Sequence, residues 1–297
     1  MIPARTRPVI GYLLVLAATA IWSGNFIVAR GLSNSIPPVT LSFLRGLVAV
    51  IVLIPFGMRG LYRDIGSVRK HLGYLAVTAL FGITFCHTLL YIAARTSPAL
   101  NCSLIAMCSP IFVAVFARLF LHDTLTFRRI AGLTTATFGA FLLITGGHID
   151  RLKNLTVSEG DIWMLGQAAS FAAYSILVQI KPADLSHGTF LSCMFVLGWL
   201  LLVPWWLWEM TGVGSINLSA TAFAAIIYLG VGPSLLSFLC WNRAIKIIGS
   251  VRAGLVYYCL PLLSGIEAFL LLDEPINWVH AVSGVLILAG VIVATRE

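Results

Sequence analysis

Trp163, Gln167, Ser170 and Tyr174 follow one another at spacings of four, three and four, which sets two rings, an amide and a hydroxyl along one helical stripe. Three shorter sets share this mixed character: Trp22 with Asn25; Thr84, His87 and Tyr91; and Ser234, Ser237 and Trp241. Rings beside amides, hydroxyls and an imidazole suit a zwitterion with an apolar or aromatic body, through stacking at one end and hydrogen bonds at the other. The same rings would also accept a lipophilic cation by cation–π contact. Every set lies in a long apolar stretch, where an amide or imidazole without a partner is costly. These faces must therefore look at one another or at a wet cavity with room for a small metabolite. Interhelical hydrogen-bond glue is the plainer reading for any single Ser or Thr, and Trp163, near the start of its stretch, also fits an interfacial anchor.

Charge within the apolar stretches is sparse. Arg45 and Glu267 stand out, either as an ion pair with each other or as a pair of poles for a zwitterionic solute. No stretch has a carboxylate at its middle, so proton coupling would fall to Glu267 or His87. The six cysteines form no Cys-x-x-Cys pair, the histidines lack zinc spacing, and no phosphate-binding loop occurs. Neither a metal, a cofactor nor direct ATP hydrolysis is expected. Gly232-Pro233-Ser234, with His87 as a base, supplies a remote alternative, an intramembrane serine hydrolase. That motif is three residues long and leaves the internal duplication unexplained, so the sequence is not read as an enzyme.

These residues are positioned by a chain of 297 residues that is 59% apolar and 10% charged, with a mean hydropathy of +0.97. Soluble domains carry about 25% charged residues, so a soluble enzyme, a disordered chain and a nucleic-acid binder are excluded. Crossing a bilayer takes about 20 mostly apolar residues. Ten such stretches are legible, at about 9–30, 38–57, 72–94, 97–121, 128–147, 161–181, 187–208, 219–242, 250–272 and 277–295. The expected fold is an all-α polytopic membrane protein. The apolar run of the first stretch continues past the cleavage-like Ala18-Thr19-Ala20, so it is read as a membrane helix rather than a signal peptide. With the amino terminus in the cytoplasm, Arg5, Arg7, Arg59, Arg63, Arg69, Lys70, Arg128, Arg129, Lys181, Arg243, Lys246 and Arg296 lie inside, against Arg30, Arg95, Arg151 and Lys153 outside. This positive-inside bias accounts for the +8 net charge and places both termini in the cytoplasm.

Offsets of 149 to 151 align Gly11 with Gly160, Pro55 with Pro204, Cys108 with Cys259, Pro110 with Pro261 and Gly139 with Gly290. The chain thus reads as five helices duplicated, over residues 1–150 and 151–297. Five is odd, so the second copy enters the bilayer inverted, the arrangement from which many secondary transporters build a midplane site. Pro110, Pro261, Gly232 and Pro233 fall within spans and are expected to bend them or free carbonyls, as gates or hinges. Stretches 5 and 10 carry small residues, among them Gly132, Ala136, Gly139, Gly284 and Gly290, which suit close packing or a homodimer contact.

Trp22-Ser23-Gly24-Asn25-Phe26, Pro37 and Pro38 ahead of Arg45, and the Pro110 and Pro261 stretches ending in Asp123 and Asp273-Glu274 carry a family resemblance. The whole chain resembles the ten-helix EamA branch of the drug/metabolite transporter superfamily, and within it the bacterial aromatic amino acid exporters. Ser23 displaces the usual glycine of the first motif by one position. Phe171 and Tyr174 stand where the first copy has Trp22 and Asn25, so the motif is not duplicated. The resemblance implies a multi-pass carrier of the bacterial inner membrane, exporting amino acids or related metabolites by alternating access through a central cavity, and it favours Trp22, Asn25, Arg45 and Pro110. Export of lipophilic cationic drugs is the alternative. The substrate-facing set expected is Trp22, Asn25, His87, Tyr91, Trp163, Gln167, Tyr174, Ser237 and Trp241. The partners expected are a small-molecule substrate and the lipid bilayer, without nucleic acid.

Overall fold

The computed structural model describes residues 7–32, 35–97, 99–148, 150, 158–212, 219–272 and 278–295. Arg5, Arg151, Lys153, Asp273, Glu274 and Arg296, which bear on the charge bias and the family motif, lie outside them. Regular structure among the described residues is helical throughout. In the first half α1 (Arg7–Leu32) and α2 (Pro38–Arg63) are followed by a short α3 (Ile65–Lys70). Then α4 (Leu72–Ala79) runs through a π-helical segment (Leu80–Phe85) into α5 (Cys86–Thr96), and α6 (Ala99–Ala106), α7 (Ser109–Phe120) and α8 (Phe127–Thr145) complete the half. The second half repeats the plan with α9 (Glu159–Gln179) and α10 (His187–Met210), then α11 (Ala220–Leu229) through a π-helical segment (Gly230–Leu236) into α12 (Ser237–Ile248). It ends with α13 (Ser250–Tyr257), α14 (Leu260–Leu272) and α15 (Trp278–Thr295).

Eight stretches among the described residues are long and apolar enough to cross a membrane. Of the ten read from the sequence, α9 and the pair α13 and α14 are not among them. The outer surface is apolar, with Leu119, Phe138, Leu207 and Val285 exposed, while Arg45, Asn25 and Ser234 are buried. That inversion of the soluble pattern fits a protein whose solvent is lipid.

The halves repeat each other in irregularities as well as in helix order. Between α6 and α7 the N–H groups of Met107 and Cys108 reach back three residues, to Leu104 and Ile105, at 3.2 and 2.9 Å. Tyr258 and Cys259 do the same to Leu255 and Val256 at 3.2 and 2.9 Å. Pro110 and Pro261 follow these tightened turns, each as the second residue of the continuing helix, where a missing N–H leaves no helical bond unmade. The two π-helical segments also correspond, and Gly232 and Pro233 lie in the second. The ring of Pro233 cannot donate to Leu229, and that carbonyl accepts from Ser234 Oγ at 2.8 Å instead.

Packing crosses between halves. α1 lies against α12 and α9 against α5, α2 pairs with α10, and α8 pairs with α15. The last contact agrees with the close packing expected of stretches 5 and 10. Gly132 faces Gly290 and Ala294, and Gly139 faces Leu286 and Ile287, so closely that an added Cβ would collide with the neighbouring backbone. Gly132, Gly139 and Gly290 thus serve close packing within the chain.

Hydrogen bonds to two carboxylates fasten α2 to α10 at both ends. Asp64, just past α2, accepts from Thr189 Oγ1 at 2.7 Å and the Ser186 N–H at 3.4 Å at the start of α10. Glu209, near the end of α10, accepts from the Val39 and Thr40 N–H groups at 3.0 and 2.7 Å at the start of α2. Each carboxylate meets the positive end of the partner helix. The Thr189, Arg63 and Ser186 hydrogen bonds hold the Asp64 carboxyl well below the usual carboxylate range. Burial raises Asp184, but hydrogen bonds from His71 and Ser67 outweigh it and keep that carboxyl low as well.

Candidate functional site

Where α1, α2, α5, α9, α12 and α13 converge, the structure encloses a cavity bordered by Trp22, Asn25, Arg45, His87, Gln167 and Phe238, with Phe171 and Tyr257 beside them. Its dominant feature is Arg45, 1% exposed. The guanidinium donates to Ser234 Oγ from Nε at 2.9 Å and from Nη2 at 2.7 Å, and from Nη1 to Tyr91 Oη at 2.5 Å and Asn25 Oδ1 at 3.4 Å. All of these partners are neutral. The cation also lies 5.7 Å from the centre of the Tyr91 ring. Among the described residues no carboxylate lies within 4.0 Å of it. The Arg45–Glu267 ion pair anticipated above is therefore not formed, and Glu267 is not among the residues lining the cavity.

Opposite the guanidinium stands an aromatic cluster centred on Trp22. Its ring lies 5.4 Å from Phe171, 5.6 Å from Phe238, 5.3 Å from Trp241 and 6.0 Å from Tyr257. The indole N–H donates to the Pro233 carbonyl at 2.9 Å, which ties α1 to the second π-helical segment. His87 meets the edge of Phe238 at 5.4 Å. Gln167 donates from Nε2 to Cys86 Sγ at 3.4 Å, and its buried Oε1 has no partner among the described residues. The site thus offers a buried cation, an open amide acceptor and a wall of rings.

The cavity itself is only about 30 Å³, room for a water molecule or two. The spacious vestibule expected from the sequence is contracted here, because the rings around Trp22 close upon each other.

Trp22, Asn25, His87 and Gln167 of the expected set border the cavity, and Tyr91 reaches it through Arg45. The other four lie elsewhere. Trp163 is near the start of α9, donating to Glu159 Oε1 at 3.1 Å. Tyr174 hydrogen-bonds Asn242 Oδ1, and Trp241 donates to Ser175 Oγ at 3.3 Å behind the aromatic wall. Ser237 is buried, with no partner for its hydroxyl among the described residues. The stripe on α9 divides because 11 residues of helix rise about 16 Å, longer than so small a cavity, so only Gln167 at its middle reaches it. Ser170 lines a separate apolar groove beside Phe81 and Phe116.

Phe171, Phe238 and Tyr257 line the site without having been singled out as substrate-facing. The repeat carried the signal for two of them. Phe171 is the counterpart of Trp22 and Phe238 that of His87, and each pair is in ring contact. Ser234, the nucleophile of the hydrolase alternative, is engaged with Arg45 and Leu229, and His87 is not its partner. That reading has no dyad to rest on.

Comparison with known proteins agrees with this architecture. The chain is 28% identical over 289 residues to an uncharacterized transporter of Archaeoglobus fulgidus, covering 96% of this chain and 97% of that one. It is 26% identical to the uncharacterized transporter YyaM of Bacillus subtilis, covering 96% and 93%. It is also 26% identical to a probable terminal-alkyne amino-acid exporter of Streptantibioticus cattleyicolor, over 96% and 93%. A crystal structure with 20% identity superposes with a TM-score of 0.75 over 96% of both chains, which supports the fold. The model of the EamA-like transporter family matches twice, at residues 9–145 and 158–296, once for each half. A multi-pass helical bundle made of two matching halves, with a buried cation facing aromatic rings, is thus a secondary transporter rather than an enzyme, and the chain belongs to the EamA-like transporter family.

Proposed function

We propose that the chain exports neutral amino acids, aromatic ones favoured, or closely related metabolites across the bacterial inner membrane. The observation that carries this reading is Arg45, a buried guanidinium whose hydrogen-bond partners are all neutral. A cation held in a membrane interior marks a functional site, and a substrate carboxylate supplies the missing anion through charge-assisted bonds. The open Oε1 of Gln167 accepts from the substrate ammonium, and Trp22, Phe171 and Tyr257 cover its apolar body. The resemblance to aromatic amino acid exporters and the relative named as an amino-acid exporter point the same way.

The fixed charge of Arg45 weighs against lipophilic cationic drugs, which it would repel. In this reading ten spans form two inverted halves, residues 1–150 and 151–297, with both termini in the cytoplasm. Alternating access proceeds as the helix halves beside Pro110, Pro261 and the Gly232-Pro233 segment rock. The contracted cavity is a state without room for substrate, and loading parts the rings around Trp22.

Flux into and out of liposomes containing the purified chain tests this, with a panel of neutral amino acids, their amides and cationic drugs, with and without a pH gradient. Transport of phenylalanine but not of phenylalanine amide is expected. Equal transport of the amide, or flux of cationic drugs alone, would overturn the reading.

A further inference from the structure

α9 runs beside the cavity, and each of its ends is fastened to the start of another span. At its first turn the buried Asp161 accepts from Ser97 Oγ at 2.5 Å and from Asn101 Nδ2 at 3.0 and 3.2 Å. Ser97 follows α5 and Asn101 lies in the first turn of α6, so one carboxylate holds the junction between these helices. The segments are in close contact, since a Cβ added to Gly160 would lie 2.7 Å from the Ser97 backbone nitrogen. Asp161 Oδ2 also accepts from the Ser158 N–H at 2.9 Å, as part of a capping box. Capping explains that bond and leaves those from Ser97 and Asn101 for another role.

At the other end of α9, Gln179 Oε1 accepts from the N–H of Ser250, the first residue of α13, at 2.6 Å. Gly249, at φ +83°, reverses the chain between α12 and α13 and so brings this N–H to the amide. Lys246 of α12 adds bonds from Nζ to the Gln179 and Lys181 carbonyls at 2.9 and 3.2 Å. The two junctions are counterparts, because the offset of 151 carries Ala99 onto Ser250 and Cys102 onto Ala253. One helix therefore clasps both copies of the same junction, one copy at each end. Gln167, which borders the cavity, lies between the clasps, about 9 Å along the helix from Asp161 and about 18 Å from Gln179.

Resting on the alternating-access reading above, we propose that these two contacts are the latches of the two gates, and that each side of the cavity opens when its own latch parts. Both latches are made in this structure, and the cavity between them is contracted to about 30 Å³. The latches are unequal. An ionised carboxylate with two side-chain donors holds one, and a neutral amide holds the other, so the Asp161 end is the harder to open.

The test measures maleimide labelling of the full chain purified in detergent, without substrate, so the result does not depend on what the chain carries. Cys102, buried with its thiol 3.9 Å from the Ser97 carbonyl, reports on the Asp161 end. Ala253→Cys puts a matched thiol at the Gln179 end, and peptide mass spectrometry separates the two from the other five cysteines. Labelling of a buried thiol follows the population of the opened state. Asp161→Asn, which turns an amide donor toward donors, should speed labelling of Cys102 about tenfold or more and leave the Ala253→Cys thiol within about twofold. Gln179→Leu should do the reverse, with a gain of about threefold to tenfold at the Ala253→Cys thiol alone. Ser97→Ala keeps the capping box intact and should still speed Cys102 by about threefold to tenfold, so the outcome does not hang on how well Asp161→Asn folds. Unchanged labelling in these variants, or equal acceleration of both thiols by any one of them, would overturn the proposal.

Discussion

Two asparagine–tyrosine pairs, one in each half, sit at matched places in the bundle. In the first, Tyr91 donates to Asn25 Oδ1 at 3.4 Å. In the second the types are exchanged, and Tyr174, the counterpart of Asn25, donates to Asn242, the counterpart of Tyr91. The pairs differ in what stands beside them. Arg45 joins the first, while the matched position on α10 is Met194, fully buried and apolar. A symmetric backbone has been given a charge once. One pair stands at the charged pole of the candidate site, and the other is a strut between α9 and α12.

Arg45→Met makes the first pair resemble the second and should have the largest effect. Charge-assisted hydrogen bonds contribute about 1.5–3 kcal/mol each, so amino acid affinity should fall at least about tenfold. The protein should remain folded, because Ser234 still donates to Leu229 and Tyr91 to Asn25. Isothermal titration calorimetry with phenylalanine checks this, and undiminished binding would undo the contrast between the pairs.

Tyr91→Phe comes next. It removes one partner of the guanidinium and leaves the ring over the cation, so affinity should fall by about threefold to tenfold in the same titration. Tyr174→Phe removes the equivalent hydroxyl from the other pair. It should lower stability by about 1 kcal/mol and leave affinity within about twofold. A thermal melt beside the titration separates the two outcomes, and a Tyr174→Phe loss of affinity as large as that of Tyr91→Phe would erase the distinction.

The smallest effect lies farthest from either pair. Asp64 is held below its ordinary value of 3.8, so the folded protein takes up this proton less readily than the unfolded chain. Its contribution is present above that ordinary value and is lost as pH falls below it. Melting temperature should decline as pH falls from about 4 towards about 2, and Asp64→Asn should flatten that part of the profile. An identical slope in the variant would assign the decline to other groups.

The sequence made the helical bundle and the duplication legible because apolar length and matched prolines are local signals. It also singled out Trp22, Asn25, His87 and Gln167, since polar groups in apolar stretches stand out. It was silent on Phe171, Phe238 and Tyr257 as lining residues, because a ring in an apolar stretch looks the same whether it faces lipid, core or cavity. The Arg45–Glu267 expectation failed for a related reason. Opposite charges attract on paper, but which hydroxyls surround a guanidinium depends on how α2 meets the π-helical segment of Gly230–Leu236, and that contact is far apart in the chain. Of the two π-helical segments, the second was marked by Gly232 and Pro233, whereas the first, Leu80–Phe85, carries no such signal and is marked only by its matched position.

The crossed carboxylates of α2 and α10 have a mechanical corollary. Asp64 reaches from the tail of one rod to the head of its neighbour, and Glu209 does so at the opposite rim. Neither extremity can part without stripping a helix start of its acceptor. The couple therefore acts as one beam, and in the proposed mechanism the shape changes that conduct a passenger between compartments fall to the interrupted helices around it.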